Sequence, residues 1–117
     1  FDHPLFIDAF VARAKQYNLD DYDHILFSYH GLPVRQVDKV YDEGLCSDKD
    51  CDHTLTDENK YCYKAACYAT TRLIAAQLNL NATRYTVCFQ SRLDKKWLEP
   101  FSDKVVAQCA RKGMKKI

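Results

Sequence analysis

Two short apolar runs lie far apart in the chain, with helix-forming sequence before, between and after them, and this order limits the fold more than any other feature. Ile25-Leu26-Phe27-Ser28-Tyr29 is rich in strand formers and follows a polar link containing Asp20, Asp21 and Asp23. The second run, residues 84–90, alternates Tyr85, Val87 and Phe89 with Thr86 and Cys88, as a strand does. Ahead of the first run, Asp2 or His3 before Pro4 reads as a helix start. Phe6, Phe10, Ala14 and Tyr17 then recur at helical spacing, so a helix is expected over 4–18. Between the runs, the stripe Cys62, Ala66, Ala69, Leu73 and Ala76 predicts a helix over 59–80. After the second, Pro100 begins a turn or helix with Val105, Val106, Cys109 and Ala110 on its apolar face and Gly113 at its end. Residues 114–117 open an expected third strand. Strands separated by helices need crossover connections, which make neighbouring strands parallel. The expected class is α/β: a three-layer sandwich with a mainly parallel sheet, here incomplete.

At 117 residues, 47% hydrophobic and 28% charged, the chain can build one modest core, so a single unit over 1–117 is expected. Its formal charge of +1 gives no electrostatic case for nucleic acid. No apolar stretch approaches the roughly 18 residues of a membrane span, and no signal peptide is evident at the start. Six cysteines with only three glycines and three prolines do not describe a loop-rich disulfide scaffold. Reduced thiols in the cytoplasm are expected. Because residue 1 is Phe and the last residues read as a strand start, a longer protein is expected too.

In a parallel sheet ligands bind beyond the carboxyl ends of the strands. His30-Gly31-Leu32-Pro33 follows the first strand there, and Gln90-Ser91-Arg92 through Trp97 follows the second. The topology therefore brings an imidazole loop and an indole loop to one rim.

Phe27-Ser28-Tyr29-His30-Gly31-Leu32-Pro33, then Phe89-Gln90-Ser91-Arg92-Leu93 and Trp97-Leu98-Glu99-Pro100 with Asp103, closely resemble in order and spacing the paired signatures of ferrochelatase. Residues 111–117 are similar to the run into that family's next strand. The resemblance covers essentially the whole chain. It implies a lyase of haem biosynthesis that inserts ferrous iron into a porphyrin (protoporphyrin IX), built from two similar chelatase-like α/β lobes with the porphyrin between them. This chain then resembles most of the second, C-terminal lobe, with the first lobe of the same protein as its partner. An acidic partner to the histidine is implied beyond Ile117, and the chain alone is expected to be inactive. A non-catalytic α/β module that bears a metal or cluster and binds or senses is the alternative. Whether the substrate is protoporphyrin or coproporphyrin, and whether the protein touches a membrane surface, stays open.

A free-base porphyrin holds two pyrrole protons that must leave as the metal enters, and an imidazole can accept protons near neutral pH or, when neutral, coordinate divalent iron. By resemblance His30 takes this catalytic, iron-contacting place, with both roles open. Trp97 offers a flat face to a macrocycle, and Gln90, Ser91 and Arg92 are suited to its edge or propionates. Tyr29 either points toward the pocket or is buried beneath it. His3, His24 and His53 read as solvent-side or helix-end residues, His53 being the one stray candidate for a metal.

The polar segment 34–61 is of weak periodicity and reads as an insertion, because the glycine-aspartate-proline-tyrosine turn common in the family is replaced by Tyr41-Asp42-Glu43-Gly44 and then cysteines. Four residues separate Cys46 from Cys51, ten separate Cys51 from Cys62 and four separate Cys62 from Cys67. This resembles the bacterial subgroup whose internal cysteines hold a two-iron, two-sulfur cluster. On spacing alone, zinc, disulfides or free thiols remain alternatives. Cys62 and Cys67 stand about 140° apart on an ideal helix, so the helix should begin near Cys62 or be distorted there. Cys88 and Cys109 read as small buried hydrophobes.

Overall fold

A computed structural model of the chain describes residues 1–41 and 50–117. Helix α1 (Pro4–Ala14) begins at Pro4, whose missing N–H costs nothing in a first turn, and His3 caps it by accepting the Leu5 N–H at Nδ1, 3.2 Å away. Strand β1 (Ile25–His30) follows, then the short α2 (Val34–Val37), the long α3 (Tyr63–Gln77), strand β2 (Tyr85–Gln90) and α4 (Ser102–Arg111). The two strands are parallel and in register from Ile25 opposite Tyr85 to His30 opposite Gln90. The α/β class and the parallel crossover therefore hold.

Side chains alternate across the sheet. Phe27 and Tyr29 of β1 and Val87 and Phe89 of β2 face α3, where Phe27 meets Ile7 and Val11 of α1 and Ile74 of α3. On the opposite face Leu26 and Cys88 pack on Val105 and Cys109 of α4. Helices α1 and α3 thus form one outer layer, the sheet the middle and α4 the other. Full burial of Phe89, 1% exposed, and Ile7, 2% exposed, contributes roughly 1.5–3 kcal/mol each.

Several helical details differ from the sequence reading. Helix α1 stops at Ala14, and its buried residues are Ile7 and Val11, while Phe6, Phe10 and Tyr17 are exposed. Helix α3 occupies 63–77 rather than 59–80. It buries Ala65, Cys67, Ala69, Thr70, Thr71, Ile74 and Ala75, leaving Leu73 exposed. In α4, Val105 and Cys109 are buried and Val106 is exposed. Residues 114–117 form no strand, although Lys115 and Lys116 both donate backbone N–H groups to Asp23 Oδ2, at 2.7 and 3.0 Å. Gly113 ends α4 as expected: at φ +81° it permits the paired bonds from Gly113 N–H to the Ala110 carbonyl and from Met114 N–H to that of Cys109. Cys88 and Cys109 are buried, as expected. No helix among the described residues is long and apolar enough to cross a membrane.

Candidate functional site

His30 is the last residue of β1 and continues the face of Leu26 and Ser28; it is exposed. Directly opposite stands Gln90, the last residue of β2. The loops that leave these positions run together. Gly31 N–H donates to the Gln90 carbonyl at 2.7 Å, Val34 N–H to Lys96 at 2.9 Å and Leu98 N–H to Leu32 at 2.9 Å, with Pro33 bridged to Trp97. The imidazole and indole loops are therefore side by side on one mouth of the sheet, as the topology requires. Leu32, Pro33, Val34, Leu93, Lys96 and Trp97, though not His30 itself, contribute to the lining of an open depression of about 710 Å³. Its wall mixes apolar surface with the cationic Arg35 and Lys96 and the carboxylates of Asp38 and Asp94.

The other predicted site residues take distinct places. Gln90 and Ser91 are exposed at the rim, and Ser91 sits at φ +64°, a left-handed conformation unusual for a residue with a Cβ. Arg92 is turned toward α4: it pairs with Asp103 at 3.1 Å and lies over the Phe101 ring, 4.2 Å from its centroid. Tyr29 takes the lower of its two orientations, with its ring against Phe89 and its hydroxyl 2.9 Å from that of Thr71 in α3. Burial raises its pKa above the ordinary phenol value. It braces the sheet beneath the rim.

The thiols lie on the α3 face. Cys51 and Cys62 are fully buried and Cys67 nearly so, in one cluster with Ala65, Val87, Phe89 and Leu98. Cys46 lies outside the described residues. Cys62 is the residue just before α3 and Cys67 lies within it, which is how two cysteines five apart come to one region. The Tyr41 hydroxyl stands 3.2 Å from Cys51 Sγ, its ring packs against the cluster that includes Cys62, and the Asn59 side-chain amide donates to Cys51 Sγ at 3.7 Å. Burial, and then these sulfurs, push the Tyr41 phenol far up. Burial also raises the Cys67 thiol to about 11, against the opposing pull of the Tyr63 hydroxyl.

Helix α3 grips the loop that carries Cys51. Lys64 pairs with Asp52 at 2.7 Å, Arg72 donates to the Asp52 carbonyl at 2.7 Å, and Tyr68 lies near the same carboxylate, its phenol raised by burial and then by that charge. These three residues, four apart in sequence, stand on one helical face. His53 is drawn off to Asp50, 2.6 Å away on the surface. No three His, Cys, Asp or Glu side chains among the described residues gather closely enough for one metal ion. Three buried sulfurs lie in one part of the core, with the Tyr41 hydroxyl and the Asn59 amide beside that of Cys51.

Tyr63, Tyr41, Asn59 and the α3 row were not foreseen. The spacing of Lys64, Tyr68 and Arg72 was a readable signal for the last, but the others depend on how the loop returns. Tyr63 donates its hydroxyl to the His30 carbonyl at 2.8 Å and lies near the Cys67 thiol. Burial, and then Cys67, push it up to about 12. His24, expected at the surface or a helix end, is instead buried with Nε2 2.8 Å from the Thr86 hydroxyl. The start of β1 carries it between the base of the sheet and the end of α4.

The chain matches the family model described as Ferrochelatase over residues 1–117. A ferrochelatase of Coxiella burnetii (strain RSA 493 / Nine Mile phase I) is 40% identical over 121 residues, covering 100% of this chain and 34% of that protein. One from Legionella pneumophila (strain Corby) is 40% identical over 118 residues, with 100% and 35% covered. One from Pseudomonas putida (strain KT2440) is 37% identical over 122 residues, with 100% and 36% covered. The chain thus spans about a third of the length of these relatives. No solved structure matches it.

Proposed function

The chain belongs to the ferrochelatase family, and on that premise we propose that the whole protein is a lyase inserting ferrous iron into a porphyrin in haem biosynthesis, with residues 1–117 forming part of its second lobe. The observation that carries this reading is the exposed His30 at the exit of β1, joined through Gly31 and Leu32 to the loop bearing Trp97. Insertion turns a neutral free base into a dianion around Fe²⁺, so two protons must leave the pyrrole nitrogens. His30 receives protons from the porphyrin face, while Trp97 packs on the macrocycle and Gln90 and Ser91 hold its edge. Arg92, paired with Asp103, fixes the second loop. Tyr29 supports both loops from below. The first lobe of the same protein closes the other side of the porphyrin. The protein acts in the cytoplasm, with no role for nucleic acid.

The thiolates of Cys46, Cys51, Cys62 and Cys67 hold a two-iron, two-sulfur cluster, and the buried sulfurs with donors from Tyr41 and Asn59 support this reading. Such a cluster supplies one-electron chemistry and a covalent cross-link when bound. The cross-link orders a loop with little core of its own.

The whole protein, purified without oxygen, is expected to be reddish-brown with iron and acid-labile sulfide in equal amounts, and to consume porphyrin when given Fe²⁺. Porphyrin binding without insertion would overturn the enzyme reading. Colourless protein with one zinc per chain would overturn the cluster.

A further inference from the structure

Among the described residues β1 pairs with β2 and with no other strand. On the outer side of β2 the Phe89 N–H donates to the Pro100 carbonyl at 2.8 Å. The outer side of β1 carries the N–H groups of Leu26 and Ser28, because Gly31 N–H points to Gln90 of β2 and successive residues of a strand point to opposite sides. A strand edge of this kind calls for cover.

Two apolar furrows flank that edge, one on each face of the sheet. On the α1 face, Phe6, Phe10 and Tyr17 stand beside Ile25 and Phe27 around a space of about 340 Å³, and Phe10 and Tyr17 are each 52% exposed. On the α4 face, His24, Leu26 and Val106 line a space of about 610 Å³, with Ile117 in its wall. A strand buried on both faces fills such a pair, its side chains alternating between them.

Residues 115–117 stand at the foot of the same edge. Asp23 N–H donates to the Lys116 carbonyl at 2.8 Å, and Asp23 Oδ2 accepts the N–H groups of Lys115 and Lys116. Handedness points the same way. Helix α3 carries the chain from β1 to β2 across one face of the sheet, and α4 leaves β2 across the other. Crossovers of one hand on opposite faces step in opposite directions, so a strand that follows α4 belongs beyond β1.

We propose that the segment after Ile117 lies on the free edge of β1 as a third, parallel strand of about six residues, as many as β1 has, and fills both furrows with apolar side chains. Its carboxyl end then emerges beside His30, on the side away from Gln90, so the residues that follow it border the imidazole. This requires a chain longer than 117 residues, as in the relatives of which it spans about a third, and holds whether or not the whole protein inserts iron.

The test uses the whole protein labelled with ¹⁵N. Amide exchange at Leu26 and Ser28 is expected to be as slow as at Phe27 and Tyr29, whose N–H groups face β2. Fast exchange at the first pair beside slow exchange at the second would overturn the proposal. The occupant is identified by placing photoreactive p-benzoylphenylalanine at position 10, irradiating, and sequencing the joined peptides by mass spectrometry. The expected partner is the peptide that follows Ile117. A cross-link to the first lobe, a cross-link between light and heavy copies in a mixed sample, or no cross-link at all would each count against it. Should that protein fail to fold, the same probe at position 17 takes its place.

Discussion

A Cβ added at Gly31 would stand 2.7 Å from the Gln90 carbonyl oxygen, which is backbone and cannot step aside, and 3.3 Å from Trp97 Cε3. The rim therefore depends on the bare backbone of one residue between the imidazole and the indole. Gly31→Ala is expected to cost roughly 1–3 kcal/mol by urea unfolding, as overpacking does, and to spread the two loops. Unchanged stability would contradict the close approach. At this scale the sequence was informative where function lies in contiguous phrases: His30, Gly31, Gln90 and Trp97 could be picked out because a strand exit and its following residues stay together. It was silent on Tyr41, Asn59 and Tyr63, whose sulfur and carbonyl partners are brought to them only by the return of the 34–61 segment.

Where α4 ends against the base of the sheet, His24 lies buried with Nδ1 making no hydrogen bond to any described residue. Loss of water around the ring lowers its pKa, and Lys112 at the end of α4 and Arg84 before β2 lower it further. The neighbouring Asp23 is occupied by the Lys115 and Lys116 backbone. Folding thus depresses the pKa below its unfolded value of about 6.5, and the unfolded chain binds the proton first. His24 should contribute stability above that pH, lost as pH falls from it toward the folded value. Urea unfolding at successive pH values between 7.5 and 5 should show this decline, and His24→Gln should remove part of it; an identical decline in the variant would refute the assignment. Helix positions were harder to read than helix existence. Both Phe6-Phe10-Tyr17 and Ile7-Val11 satisfy a helical period, and only the sheet beside α1 decides that the smaller pair goes inward. In α3 the sequence reading chose Leu73 over Ile74 for the same reason. Of the two outcomes expected at Cys62, a helix start or a distortion, the start is what stands, while the beginning at 59 read from the apolar stripe does not.

Taken whole, the chain places an imidazole and an indole loop at the carboxyl ends of its two strands and buries Cys51, Cys62 and Cys67 on the α3 side of the sheet. The α/β order was legible because a helix between two strands admits few topologies. The path of residues 50–61 was not, since the grip of α3 side chains on Asp52 and the contacts at Cys51 leave no periodic trace. The most direct test of this account is the rate of Fe²⁺ insertion into porphyrin by the whole protein carrying His30→Ala, measured without oxygen beside its thermal unfolding. The account predicts a loss of about 100-fold or more, the usual range for a removed acid–base group, with an unchanged melting temperature and intact iron and sulfide. Turnover near that of the wild type would contradict it.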